Sequence, residues 1–145
     1  MHDVAKELRL TLELTGRLQQ ISEEIAAHKS DPATWSKKEV LGHLLDSAAN
    51  NLQRFVRMQL QDHLELPGYD QDGWVRVQRY QELEWEEIIH MWRTQNRHLA
   101  QLIATVSPDA LKHTWTTPEG ETVNLEFVMR DYIVHMRHHL DQILA

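Results

Sequence analysis

No cysteine occurs among the 145 residues, which excludes a disulfide, a thiolate metal ligand and a cysteine nucleophile. Any metal must be held by nitrogen and oxygen, and any thiol that takes part in chemistry must come from outside the chain. Long apolar runs are missing too. No window approaches the roughly eighteen uninterrupted apolar residues of a membrane span, and the opening "MHDVAKELRL" places acids where a signal peptide has a basic start and an apolar core. A soluble, cytoplasmic protein is expected, and the lack of cysteine is compatible with that compartment. Positive charge is also short: 15 Lys and Arg against 22 Asp and Glu give a formal charge of −7. The two signs are mixed along the whole chain and leave no basic stripe, so neither nucleic acid nor an anionic membrane is expected as a partner. A small molecule or another protein is.

The chain has only 4 prolines, and they punctuate four helical patterns. The first pattern runs from about Asp3 to His28, where Leu14, Leu18, Ile21 and Ile25 step by four, three and four, before Asp31 and Pro32 break it. The second opens at "SKKE", where Ser36 and Glu39 have the spacing of a capping box, and it should end near His63, ahead of Pro67 and Gly68. Leu41, Leu44, Leu45, Ala48, Leu52 and Phe55 mark its apolar side. In the third, Trp85, Ile88, Ile89, Trp92, Leu99, Leu102, Ile103 and Val106 follow the 3.6-residue period, and Pro108 lies beyond it. Their spacing makes Trp85 and Trp92 core or interface residues. The fourth is expected to cap at Asn124 and to carry Leu125, Val128, Met129, Tyr132, Met136, Leu140 and Ile143 to the C-terminus. "TWTTPEGETVN" reads as a turn with Pro118, Glu119 and Gly120 at its tip. Nothing resembles a run of strands. The stretch "LPGYDQDGWVRVQRYQE" is too long for a hairpin loop and reads as a crossover with one short helix around Trp74 to Tyr80. Residues 1–145 are therefore expected to form one all-α domain, a four-helix bundle with a long crossover between helices two and three.

The last helix, "DYIVHMRHHLDQIL", holds three of the 10 histidines within five positions. Random placement alone gives about 0.7 pairs at spacing four, so the His135/His139 spacing carries little weight as a motif. Wheel position carries more. At about 100° per residue His139 lies at the edge of the apolar stripe and His135 about 40° further round on the same flank, whereas His138 falls well away from it. Two imidazoles one turn apart can share an ion, but two ligands make a weak site. Among the other histidines, His63 is explained by the dipole at the end of helix two, His90 and His98 by the polar side of helix three, and His113 by a loop. His43 is different, because Asp46, Ser47 and Asn50 sit close to it on the wheel. By pattern alone that cluster is equally a solvated face or the wall of a polar cleft, with hydroxyl, amide and carboxylate groups available to orient a ligand.

Three stretches together resemble the DinB/YfiT family of small helical metalloproteins. These are "WSKKEVLGHLLDSAANN" at 35–51, "PGYDQDGWVRVQRYQELEWEEIIHMW" at 67–92, and an H-x-x-H-H-L-x-Q-I ending formed by His135, His138, His139, Leu140, Gln142 and Ile143. The resemblance implies a four-helix bundle that assembles as a homodimer and binds a divalent metal through one histidine of helix two and two of helix four, which are His43, His135 and His139 here. Where many relatives carry an aspartate after the first histidine of the last helix, this chain has Met136.

Three imidazoles leave at least one coordination position open, as in catalytic rather than structural sites. Zinc suits the set best, with nickel close behind; iron and manganese are less favoured without a carboxylate ligand. The resemblance implies a metal-dependent transferase that activates a low-molecular-weight thiol for attack on a small-molecule electrophile. A hydrolase using metal-bound hydroxide, with Asp46 or Glu126 as proton carriers, is a second expectation, and a non-catalytic dimeric stress-response module that binds metal is a third. Trp35 is read as a hydrophobic staple against Val40, Asp70 and Asp72 as turn residues, and Asn50 and Asn51 as residues bordering the site.

Overall fold

The computed structural model describes all 145 residues. Helices α1 (His2–Thr11), α4 (Lys37–Leu60), α6 (Trp85–Ala104) and α7 (Leu125–Leu144) form the bundle. Short helices α2 (Thr15–Gln19), α3 (Glu23–Ala27) and α5 (Gln71–Gln78) lie between them. α4 is the central element, packed against α6, α7 and α5, while α1 closes the other side against α6 and α7. One continuous core results, with Trp92, Phe55, Leu8, Leu41 and Ile88 among its largest fully buried side chains. No helix is long and apolar enough to cross a membrane.

The first helical pattern is broken rather than continuous. α1 gives way to a 3-10 turn at Leu12–Leu14, then to α2, and Ser22 caps a separate α3 by accepting from the Ile25 amide. Of the expected seam, Leu18 is fully buried and Leu14 and Ile21 pack half-buried against the core, but Ile25 is 55% exposed; Val4, Ala5, Leu8 and Leu12 complete this side of the core. The break lets α3 turn onto α4. There, buried Lys38 pairs with Glu23 and donates to the Leu83 carbonyl at 2.6 Å, tying three segments together.

At the start of α4 the capping box is complete: the Glu39 amide donates to Ser36 Oγ, and the Ser36 amide to Glu39 Oε1, both at 3.1 Å. Asn124 caps α7 by accepting from the Phe127 amide at 2.8 Å. The crossover holds α5, capped by Asp70 through the Gly73 amide, and a 3-10 turn at Tyr80–Glu82. α4 stops at Leu60, three residues short of His63.

The chain is not without strands. β1 (His63–Leu64) runs parallel to β2 (Thr114–Thr116), which pairs antiparallel with β3 (Thr122–Asn124). His63 therefore sits in a strand rather than at a helix end, with Nδ1 2.7 Å from Thr114 Oγ1, which replaces the helix-dipole account of it. The segment read as a turn is a hairpin whose tip needs Gly120 at φ +88°, a left-handed conformation costly for other residues. Trp115, buried on β2, donates its Nε1–H to the Leu66 carbonyl at 2.9 Å and fixes the sheet against the crossover.

Candidate metal centre

α4 and α7 pack side by side, and each carries histidines on its facing side. His43 is 1% exposed, buried at the contact, and its Nε2 lies 3.3 Å from Nε2 of His135. The His139 ring stands 4.8 Å from that of His43 and 4.7 Å from that of His135, centroid to centroid. One ligating nitrogen from each of the three lies within 4.8 Å of the others. The separation of two nitrogens bound tetrahedrally at about 2.0–2.1 Å is roughly 3.3–3.4 Å, which is the spacing His43 and His135 already have. His138, next to His139 in sequence, is exposed.

The surrounding groups fix which nitrogens face inward. His139 Nδ1 is 2.9 Å from Gln142 Oε1, so Nδ1–H donates to the amide oxygen and Nε2 keeps its lone pair for the centre. His43 Nδ1 is buried without a partner, as is Oδ2 of Asp46 one helical turn on. No hydrogen bond joins the two atoms. The other Asp46 oxygen accepts from Tyr80 Oη and Gln78 Nε2, each at 2.6 Å. Burial pushes the Asp46 pKa up, and those two hydrogen bonds oppose the rise. Trp35 lies beside His43 at 5.1 Å between ring centroids, so the residue read as a staple for helix two also walls the site.

Burial, then the neighbouring charges of His135 and His139, pushes the His43 pKa down to about 4. His135 is lowered mainly by burial as well. Neutral imidazoles are the metal-binding form, and burial favours that form at His43 and His135. The unfolded chain takes up a proton at His43 near pH 6.5, the folded chain only near pH 4. Between those values the unfolded state binds more protons, so stability present above pH 6.5 declines as the pH falls through the window. In chelator, urea melts at pH 7.5 and 4.5 should differ by about 2 kcal/mol from this residue. A His43→Gln variant that shows the same difference would refute the assignment.

The geometry thus brings His43, His135 and His139 together and accommodates a divalent ion. Ser47 lines the adjacent cavity and Asp46 is buried against Tyr80 and Gln78, while half-buried Asn50 donates to the Asp46 carbonyl at 2.8 Å. Asn51 rather than Asn50 borders the cavity. Glu126 is engaged with Arg130 at 3.7 Å. Arg54 and Tyr69, which also line the cavity, drew no attention in the sequence: a single arginine on a helix and a tyrosine in a crossover have no spacing signal.

A helical bundle with three clustered imidazoles, one of them lining a cavity, defines a class of protein with a candidate site for a divalent metal. Residues 8–143 match the sequence profile of the DinB superfamily, and the chain belongs to that superfamily. It is 22% identical over 110 residues to a protein of Halalkalibacterium halodurans and 24% identical over 111 residues to one of Oceanobacillus iheyensis, both named "putative metal-dependent hydrolase". The matches cover 76% and 77% of this chain, which spans 64% of the length of each relative. Among solved structures it resembles YfiT from Bacillus subtilis, described as "a probable metal-dependent hydrolase with an unusual four-helix bundle topology". The TM-score is 0.82 at 19% identity, covering 97% of this chain and 83% of that one. It also resembles the mycothiol-dependent maleylpyruvate isomerase, with a TM-score of 0.73 at 13% identity over 98% of this chain and 58% of that one. These structural likenesses establish the fold.

Proposed function

We propose that this protein is a divalent-metal-dependent transferase that activates a low-molecular-weight thiol supplied from outside the chain. The observation that carries the reading is the convergence of His43, His135 and His139, with His135 in the wall of a cavity of about 620 Å³, in a chain with no thiol of its own. A zinc or nickel ion held by the three imidazoles would supply Lewis acidity, lowering the pKa of a thiol or water bound to it. His43, His135 and His139 would hold the ion, Gln142 orients His139, and the cavity would admit the second reactant.

A hydrolase needs a group that delivers a proton to the departing atom. Asp46 is buried under Tyr80 and Gln78, and Glu126 is paired with Arg130, so neither carboxylate is free at the cavity. Thiol transfer to an electrophile that loses chloride makes no such demand: the thiol gives its proton to solvent, the thiolate forms the carbon–sulfur bond, and chloride departs unprotonated. Hydrolysis is the second reading, supported by the names of the relatives and by Asp131 in the cavity wall. The protein acts in the cytoplasm as a homodimer on a small electrophile.

Metal-loaded protein incubated with a panel of low-molecular-weight thiols and an electrophilic aromatic chloride should form thioether faster than metal-free protein. Absence of that acceleration with every thiol sinks the transferase reading. Ester or amide cleavage indifferent to added thiol would put hydrolysis in its place.

A further inference from the structure

The cavity beside the histidines contains a cation without a counter-ion. Arg54, half-buried on α4, lies over the Trp115 ring at 4.3 Å from its centroid. Its Nε is buried with no acceptor, and its sole side-chain hydrogen bond is a long one, 3.4 Å to Asn51 Oδ1. No carboxylate of the chain lies within ion-pair distance of it. The two that line the same cavity, Glu119 and Asp131, are both exposed. A guanidinium stays charged when desolvated, and its unmet N–H groups are costly unless an anion meets them. Trp115 is itself pinned by its bond to Leu66, so the stacked guanidinium is held in place before any ligand arrives. Tyr69 stands in the same wall; burial pushes its pKa up to about 12, leaving a neutral hydroxyl able to donate.

We infer that Arg54 receives a carboxylate of a substrate whose reacting atom lies at the three-histidine centre, with Tyr69 as a second donor. The reacting end of that assignment rests on the transferase reading above; the binding end does not. A planar carboxylate matches the guanidinium fork in two parallel hydrogen bonds, which selects an organic acid over its amide or ester. The carboxylate can belong to the thiol or to the electrophile.

Matched pairs of probes decide, with affinity for the metal-loaded protein read by calorimetry. One pair sets short ω-mercapto acids against their amides; the other sets 4-chloro-3-nitrobenzoate against 4-chloro-3-nitrobenzamide. In at least one pair the acid should bind about tenfold tighter or more. Arg54→Gln should abolish that preference with metal content and amide affinity unchanged. Preference in the mercapto pair places the carboxylate on the thiol, and preference in the benzoate pair places it on the electrophile. No acid preference in either pair, or a preference that survives in Arg54→Gln, overturns the assignment. Should Arg54→Gln fail to fold, Arg54→Lys decides: its point charge lacks the fork and should weaken acid binding severalfold, and undiminished binding overturns the assignment. Acid binding through Arg54 without reaction of any thiol would remove the transferase reading and leave this one standing.

Discussion

Replacing His43 by alanine should cost the protein its metal. Two of the three imidazoles sit one turn apart on α7, and the third comes from α4, so His43 is what turns a weak pair into a site. Structural zinc sites with four ligands bind with about 10–16 kcal/mol, which makes one ligand worth roughly 3 kcal/mol, or about a hundredfold in affinity. The same loss is expected for His135→Ala. Alanine at exposed His138 should leave affinity unchanged. Metal content after dialysis, together with competition against a chromophoric chelator, measures the difference. Because His43 is buried, a His43→Gln variant of similar volume separates loss of ligation from loss of packing. Full stoichiometry in both His43 variants would mean the centre is not the one described.

Gly42→Ala should destabilise the fold by about 3 kcal/mol, although ordinary helix propensity predicts the opposite sign. Glycine inside a helix is about 1 kcal/mol worse than alanine. Here a methyl group at position 42 would stand 2.2 Å from Cδ2 of Tyr80 and 2.5 Å from two further ring atoms. A ring wedged between α4 and the crossover cannot yield as a flexible chain end would. If it tilts away, Tyr80 Oη leaves Asp46, and a buried carboxyl loses one of its two donors. Sterics therefore outweigh propensity. In a Tyr80→Ala background the obstacle is gone, and Gly42→Ala should cost little or nothing. Denaturant melts of the four proteins form a double-mutant cycle, and additive effects would refute the contact as the cause.

The same glycine and histidine show why part of the site was legible and part was not. Local signals came through where the physics is local. Ser36 and Glu39 satisfy free amides at the start of α4 whatever packs on it, and Asn124 does the same for α7. Periodicity located α6 because one face of that helix meets the core and the other meets water. It failed on the first pattern, where the four-three-four spacing passed straight through the 3-10 turn and the Ser22 cap. Strands of two and three residues are too short to carry an alternation, so the sheet left no trace in the pattern.

His43 marks the division most clearly. On a helix with one buried face, a cluster of His43, Asp46 and Ser47 opposite the leucines would be the wet side. α4 is covered by α6, α7 and α5 at once, and these three residues are all buried. Polarity on a central helix does not report exposure, and no reading of a single helix can tell that the helix is central. The sequence by itself determined the helices that are amphipathic, the caps that start them and the His135/His139 pair, because each depends on residues within a few turns of one another. Only the tertiary structure decided that His43 faces that pair, that Trp35 walls it and that Arg54 lies in the cavity without a counter-charge. Those facts depend on which distant surfaces meet, and the free energy that brings them together comes from burial of the whole core rather than from the site residues themselves.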